Sequence, residues 1–179
     1  MNEIVWPTID SKHLIVDSKQ MLIIEKEMFS DGMPQEALME KAGIQISRWL
    51  LKKKPFLKNG ITVFIGPGHN GGDGAVIARE LFLKGFYVQV WCPFPIKKTL
   101  TNDHLNYLTS IGVTKLVEPP DANGKDLWID AVFGNNQTRK VDDKLIKLFN
   151  QKFQNKYSKV ISIDIPTGLC PDKGEPFLD

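Results

Sequence analysis

Asn70 and Asp73, Asp130, and Asp164 with Thr167 are the residues of this chain whose types and places could do chemistry. Two of the groups follow short apolar runs, at 61–65 and 159–163, that read as β-strands, and Asp130 lies towards the end of a third, at 127–132. A carboxylate that closes a buried strand is costly unless it is paired or bound to a cation, so three such groups in one chain favour a cation site or a catalytic acid. Each group taken alone also has a structural reading: Asp73 as a helix cap, Asp164 as a turn former before Ile165-Pro166, and Thr167 as a turn hydroxyl. Between the first strand and Asp73 lies a different signal. The stretch Ile61 to Gly74 reads ITVFIGPGHNGGDG and places Gly66, Gly68, Gly71, Gly72 and Gly74 within nine residues. Such glycines permit φ > 0 and let a ligand approach the main chain. A helix expected over 75–84 would aim its free N–H groups at that turn, so an anionic ligand is expected there.

Two familiar nucleotide motifs fail. Residues 66–71 run Gly-Pro-Gly-His-Asn-Gly and formally satisfy the dinucleotide pattern G-x-G-x-x-G after a strand, a match that is weak on its own. That fingerprint also needs a carboxylate at the end of the second strand to hold the ribose hydroxyls. Here the strand ends Val90-Trp91-Cys92-Pro93. A phosphate-binding P-loop needs a Lys-Ser/Thr pair after its glycines, and none follows.

The elements that must position these residues alternate along the chain. Asp17 and Gln20 form a capping pair before a helix over 18–29, and a second helix is expected from about Pro34 to Lys53. Leu38, Met39, Ala42, Ile46, Trp49 and Leu50 recur there at helical spacing, which predicts a core stripe. Both helices are expected on one face of the sheet, and Lys52 to Lys54 on a solvated helix end. After the glycine loop come strands over 87–91, 113–117, 127–132 and 159–163, with helices over 102–111, capped by Asn102, and 141–156 between them. The loop Pro93 to Leu100 carries Lys97 and Lys98 and is expected as two solvated lysines or a lid. Alternating strands and helices predict an α/β fold: a Rossmann-like three-layer sandwich with a mainly parallel sheet and helices on both faces. With strand order 3-2-1-4-5 the first, fourth and fifth strands are neighbours, and their three polar groups open into one pocket.

With 179 residues, 42% hydrophobic and 25% charged, the chain suits one domain spanning 1–179. A formal net charge of +2 gives no bulk electrostatic support to a nucleic-acid or membrane-surface role. Cys92 and Cys170 lack metal-ligand spacing, and no segment reads as a leader or a membrane span. A soluble cytoplasmic protein is expected.

GPGHNGGDGAVIAREL, IDAVFGNNQTRK and VISIDIPTGLCPDKGEP together resemble the YjeF N-terminal domain family, the NAD(P)HX epimerases, in order and spacing. The preceding ALMEKAG segment extends the likeness over 16–176. The resemblance implies a Rossmann-like homodimer that interconverts the R and S forms of hydrated NADH or NADPH, with a separate or C-terminally fused dehydratase completing the repair. It implies potassium as the bound ion, with Asn70, Asp130 and Thr167 as ligands. It places substrate on His69, Asn70, Gly71, Gly72 and Asp73, and on the loop Gly134, Asn135, Asn136, Gln137, Thr138, Arg139 and Lys140. It matches Asp164 to an acidic residue that contacts substrate near the reacting ring, which makes Asp164 the candidate catalytic acid or base, and Lys97 or Lys98 is a candidate to steady a phosphate or assist proton transfer. The chain departs from the family pattern at His69, where asparagine is usual, and at Asn135, Asn136, Thr167 and Cys170. It also ends before the family's last strands, so an open sheet edge is expected. The alternative reading is a non-catalytic scaffold module that binds a nucleotide-like ligand. A full ion-and-substrate constellation argues against it.

Overall fold

The computed structural model describes residues 16–138 and 140–177. Five strands form its sheet: β1 (Ile61–Ile65), β2 (Val88–Trp91), β3 (Thr114–Leu116), β4 (Leu127–Ala131) and β5 (Val160–Ser162). All pairings are parallel, and the order is β3-β2-β1-β4-β5, the order expected from the sequence. β1 and β4 are buried at every position, which is why their sequences are continuous apolar runs without an outward polar face. Register sets Phe64 opposite Asp130 and Asp130 opposite Ser162.

Six helices surround the sheet: α1 (Ser18–Ser30), α2 (Gln35–Leu51), α3 (Lys54–Leu57), α4 (His69–Leu83), α5 (Thr99–Ser110) and α6 (Asp143–Gln154). Successive strand residues point to opposite faces, so Ile61, Val63 and Ile65 share one core with Ala75, Ala78 and Leu81 of α4 and Leu105 and Leu108 of α5. On the other face Phe64 stacks on Trp128 and Phe149 at ring-centroid separations of 4.7 and 5.0 Å, under α6. Helices therefore cover both faces, as expected. The two N-terminal helices differ from expectation: α2 packs chiefly on α4 rather than on the sheet, and α1 buries no residue.

Boundaries moved for local reasons. The 17/20 capping box is present, with Gln20 N–H donating to Asp17 Oδ1 and Asp17 N–H to Gln20 Oε1, both at 2.8 Å. The expected helix stops at Gly85 and Gly112 adopt φ of +84° and +101°. Asn102, by contrast, is not a cap: α5 starts at Thr99 behind Lys98. α3 went unforeseen because it continues past α2 after a short turn. Among the described residues no helix is long and apolar enough to cross a membrane.

The end of the sheet opposite the strands' carboxyl ends is fixed by Lys152, which is fully buried. Its ammonium donates to the Gly124 carbonyl at 2.8 Å and to Asp126 Oδ1 at 3.1 Å, and lies 4.6 Å from the Trp128 ring centroid.

Candidate functional site

α4 begins six residues earlier than the expected Ala75, at His69. None of Gly66, Gly68, Gly71, Gly72 and Gly74 has positive φ, which corrects the expectation of left-handed turn residues. The physical need is close approach. A Cβ on Gly66 would fall on the Val132 carbonyl, one on Gly71 on the Gly66 carbonyl, and one on Gly72 against Met39 Sδ. On Gly74 it would lie 2.5 Å from Ala131 Cβ. These glycines let α4 lie on β1 and β4 and bring its N-terminus to the strand ends. Gly68, the N-cap, has no side chain to cap it, so the first-turn N–H groups of His69, Asn70 and Gly71 stay open to an anion.

That helix end opens on a cleft of about 940 Å³ at the carboxyl ends of the strands. His69, Asn70, Asp73, Gly134, Asn135, Asn136, Gln137 and Asp164 all line it. Gly71 and Gly72 are buried in α4 and do not line it. Thr138 and Lys140 are exposed and stand outside the lining, Lys140 with an ion pair to Asp143 at 3.5 Å. Arg139 lies outside the described residues. Lys98 lines the cleft, and Lys97 N–H ties the β2–α5 loop to the Pro67 carbonyl at 3.0 Å. The other wall comes from α1 and α2. Of the expected core stripe, Met39 and Leu50 are buried, Ile46 packs on the core and Trp49 is exposed, while Leu38, Met39, Ala42 and Ile46 also line the cleft.

Asp164 is the one non-glycine residue with positive φ among the described residues, at 67°. Aspartate tolerates that conformation better than most side chains. It sits there with Oδ2 accepting the Asn135 N–H at 2.7 Å, which folds the loop after β4 onto the loop after β5. Gly134 makes room, since a Cβ there would lie 2.5 Å from Asp164 Oδ2. Asp73 is largely buried, and desolvation first, then the charges of Asp164 and Glu25, push its pKa up to about 7. Burial, then Asp164, raises Glu25. His69 is held below its ordinary value by burial and then by Lys98, which keeps the ring neutral. Its Nδ1 lies 3.1 Å from Gln35 Nε2, an amide donor, so the ring proton is assigned to Nε2.

Asp130 and Thr167 meet behind this cleft. Asp130 is 3% exposed, and its Oδ1 accepts the Thr167 hydroxyl at 2.6 Å while Oδ2 accepts the Thr167 N–H at 2.9 Å. Ser162 Oγ and Val132 N–H complete the carboxylate's partners. The Phe133 N–H donates to Thr167 Oγ1 at 3.3 Å. Asp130 thereby clamps the two loops that build the cleft.

A family profile described as "YjeF-related protein N-terminus" matches residues 35–177. The chain belongs to that family. It is 42% identical over 162 residues to the "Bifunctional NAD(P)H-hydrate repair enzyme Nnr" of Synechocystis, covering 90% of this chain and 31% of that protein. It is 30% identical over 145 residues to the "NAD(P)H-hydrate epimerase" of Oenococcus oeni, covering 80% of this chain and 69% of that one. The chain spans about a third of the length of the three bifunctional cyanobacterial relatives. The crystal structure of yeast YNL200c superposes with a TM-score of 0.79 and 27% identity over 90% of this chain and 74% of that one.

In this YjeF-related domain the oxygen set of Asn70, Asp130 and Thr167 fits a hard alkali cation. The fit rests on two observations. The Asn70 amide is buried with no partner for Nδ2, and the amide's two ends are interchangeable by a flip. Thr167 Oγ1, after donating to Asp130 and accepting from Phe133, keeps one lone pair. Sequence reasoning missed Glu25, Gln35 and Ser162. The signal for Glu25 was present: Met21, Glu25 and Phe29 share one helix face at i, i+4 spacing, and a carboxylate interrupts an otherwise apolar stripe.

Proposed function

We propose that this domain interconverts the R and S epimers of NADH or NADPH hydrated at the nicotinamide ring. The observation that supports it best is one cleft holding both an uncapped helix N-terminus, suited to the anionic part of a dinucleotide, and two converging carboxyl groups, Asp73 and Asp164. The names of the relatives agree with that chemistry.

Inversion at the hydroxyl-bearing ring carbon can proceed by opening and reclosing the ring or by breaking the C–O bond and re-forming it on the other face, and either route needs a positioned proton donor and acceptor. Loss of water needs a proton on the departing oxygen and leaves a cation delocalised onto the ring nitrogen. Addition of water from the other side returns a proton to a base. Asp164 is the acid/base at the reacting carbon, and Asp73 is a carboxyl able to hold a proton near neutrality beside it. Negative charge around the ring stabilises the cation formed between the two steps. His69, Asn70 and the loop 134–137 bind and orient the substrate. Asn70, Asp130 and Thr167 would hold a potassium ion, whose charge would steady the loops after β4 and β5. Lys98 would meet a phosphate. A homodimer, and a dehydratase partner fused or separate, complete the reading.

The test is the rate of R-to-S interconversion of NADHX with and without protein, in potassium and in a buffer without alkali cations. Acceleration over the spontaneous rate is expected, with less in the absence of potassium. A folded sample that gives no acceleration would instead support a binding module without catalysis.

A further inference from the structure

Epimerisation makes a demand that a single carboxyl group does not meet. On the route through loss of water, water leaves one face of the ring and returns to the other, so proton donors and acceptors are needed on two sides of the reacting carbon. Asp73 and Asp164 both lie at the carboxyl end of the sheet, on α4 and after β5. The remaining carboxylate in the cleft comes from a different wall.

We propose that Glu25, on α1, is the second acid/base of this site and serves the ring face that Asp164 does not. The inference rests on the epimerase reading above. Glu25 lines the cleft between Met21 and Phe29, half-buried, and makes no hydrogen bond or ion pair to any described residue. The positions three and four residues away on the helix, Met21, Leu22, Met28 and Phe29, offer it no cation. An unpartnered carboxylate turned into a cavity is destabilising, and positions of that kind mark function more often than packing. A second unpartnered group points into the same space: Gln137 is 8% exposed, lines the cleft and has a buried Nε2 without a partner, although its Oε1 accepts the Gly168 N–H. A polar ligand able to engage both would satisfy them.

α1 is suited to deliver such a group. It buries no residue of its own, and its N-terminus is fastened by Ser18, whose N–H and hydroxyl donate to Asp172 at 2.8 and 2.7 Å. That fastening fixes α1 to the segment that follows Asp164 and Thr167. Glu25 also lies ahead of residues 35–177, the part that matches the family profile.

In the forward direction protonated Glu25 donates to the leaving hydroxyl, water departs, and the cation forms. A water on the Asp164 side then adds to the carbon and gives its proton to Asp164. The C–O electron pair leaves with the departing water and a lone pair of the incoming water replaces it, the reverse reaction exchanges the two roles, and solvent returns the proton from Asp164 to Glu25. The charged and titratable groups around Glu25 are Asp73, Asp164, His69, Lys98 and, on its own helix, Lys26. The Asp164 charge adds to burial in favouring the protonated form.

The experiment compares the full chain with Glu25→Gln and Glu25→Asp, reading kcat and KM for NADHX epimerisation, the pH profile of kcat, and Tm. Glu25→Gln is expected to lower kcat about 10²-fold with KM changed by less than about threefold, to remove one limb of the pH profile, and to raise Tm. Glu25→Asp should recover part of kcat. Unchanged kcat in Glu25→Gln would overturn the proposal, as would a fall in Tm that accompanies the loss of activity, which marks a structural residue. Failure of the unsubstituted chain to accelerate the reaction would remove the epimerase reading itself, a result distinguishable from both.

Discussion

Asp164 Oδ2 and the Asn135 backbone N–H are joined by a 2.7 Å hydrogen bond that ties the loop after β5 to the loop after β4. A carboxylate in left-handed backbone therefore has two tasks, holding a loop and facing the cleft. Asp164→Asn keeps an oxygen for the Asn135 N–H and loses the ability to take a proton. The expected outcome is a fall in kcat of about 10²–10⁴-fold with circular dichroism and Tm close to the unsubstituted chain. NADHX epimer ratios followed over time measure it.

Gly134 is set by the same contact. Gly134→Ala would bring a methyl 2.5 Å from Asp164 Oδ2 and 3.5 Å from Asn70 Cβ, so loop and carboxylate must separate. KM should rise and kcat fall, while global stability changes by about 1–2 kcal/mol. Gly66→Ala meets the Val132 backbone instead, which cannot swing away, and a loss of about 3 kcal/mol or more is expected in urea unfolding.

Asp73 gives the pH dependence of stability. Its folded pKa is raised from 3.8 to about 7, so the folded state holds a proton that the unfolded chain has released. Stability from this group is greatest below the unfolded value and is lost as pH rises through about 7. Asp73→Asn should flatten that decline and leave the variant more stable at pH 8 by on the order of 2 kcal/mol. A series of denaturant titrations from pH 4 to 8 reads it, and a decline of unchanged slope in the variant would count against the assignment.

Thr167 tests the ion. Thr167→Val removes the hydroxyl that donates to Asp130 at 2.6 Å and accepts from Phe133. A stability loss of about 1–3 kcal/mol is expected, because a buried carboxylate loses a partner. Potassium should cease to stimulate activity in Thr167→Val and should still do so in Thr167→Ser, as a potassium titration of the epimerisation rate would show.

Lys152 is a stability residue far from the cleft. Lys152→Met leaves Asp126 and the Gly124 carbonyl without their cation, and a loss of about 3 kcal/mol is expected with KM unchanged. Chemical unfolding and steady-state kinetics on one preparation separate the two effects.

Much of this arrangement is written locally. The continuous apolar runs of β1 and β4 announce strands buried on both faces, the Asp17–Gln20 box announces the start of α1, and βα alternation dictates a parallel sheet with right-handed crossovers. Those features depend on neighbours a few residues apart, whereas the order β3-β2-β1-β4-β5, which brings Asp73, Asp130 and Asp164 to one end of the sheet, rests on pairings such as β1 with β4 between segments distant in the chain. Which way α4 starts was decided elsewhere. Gly66, Gly71, Gly72 and Gly74 are demanded by Val132, Gly66 itself, Met39 and Ala131, three of them partners on other elements, and local propensity reads the same glycines as a turn. Glu25 looks like any solvated helix glutamate until α1 is laid across the strand ends. Its desolvation, and the charges of Asp73 and Asp164 that it meets there, exist only when segments more than a hundred residues apart in the chain share one cavity.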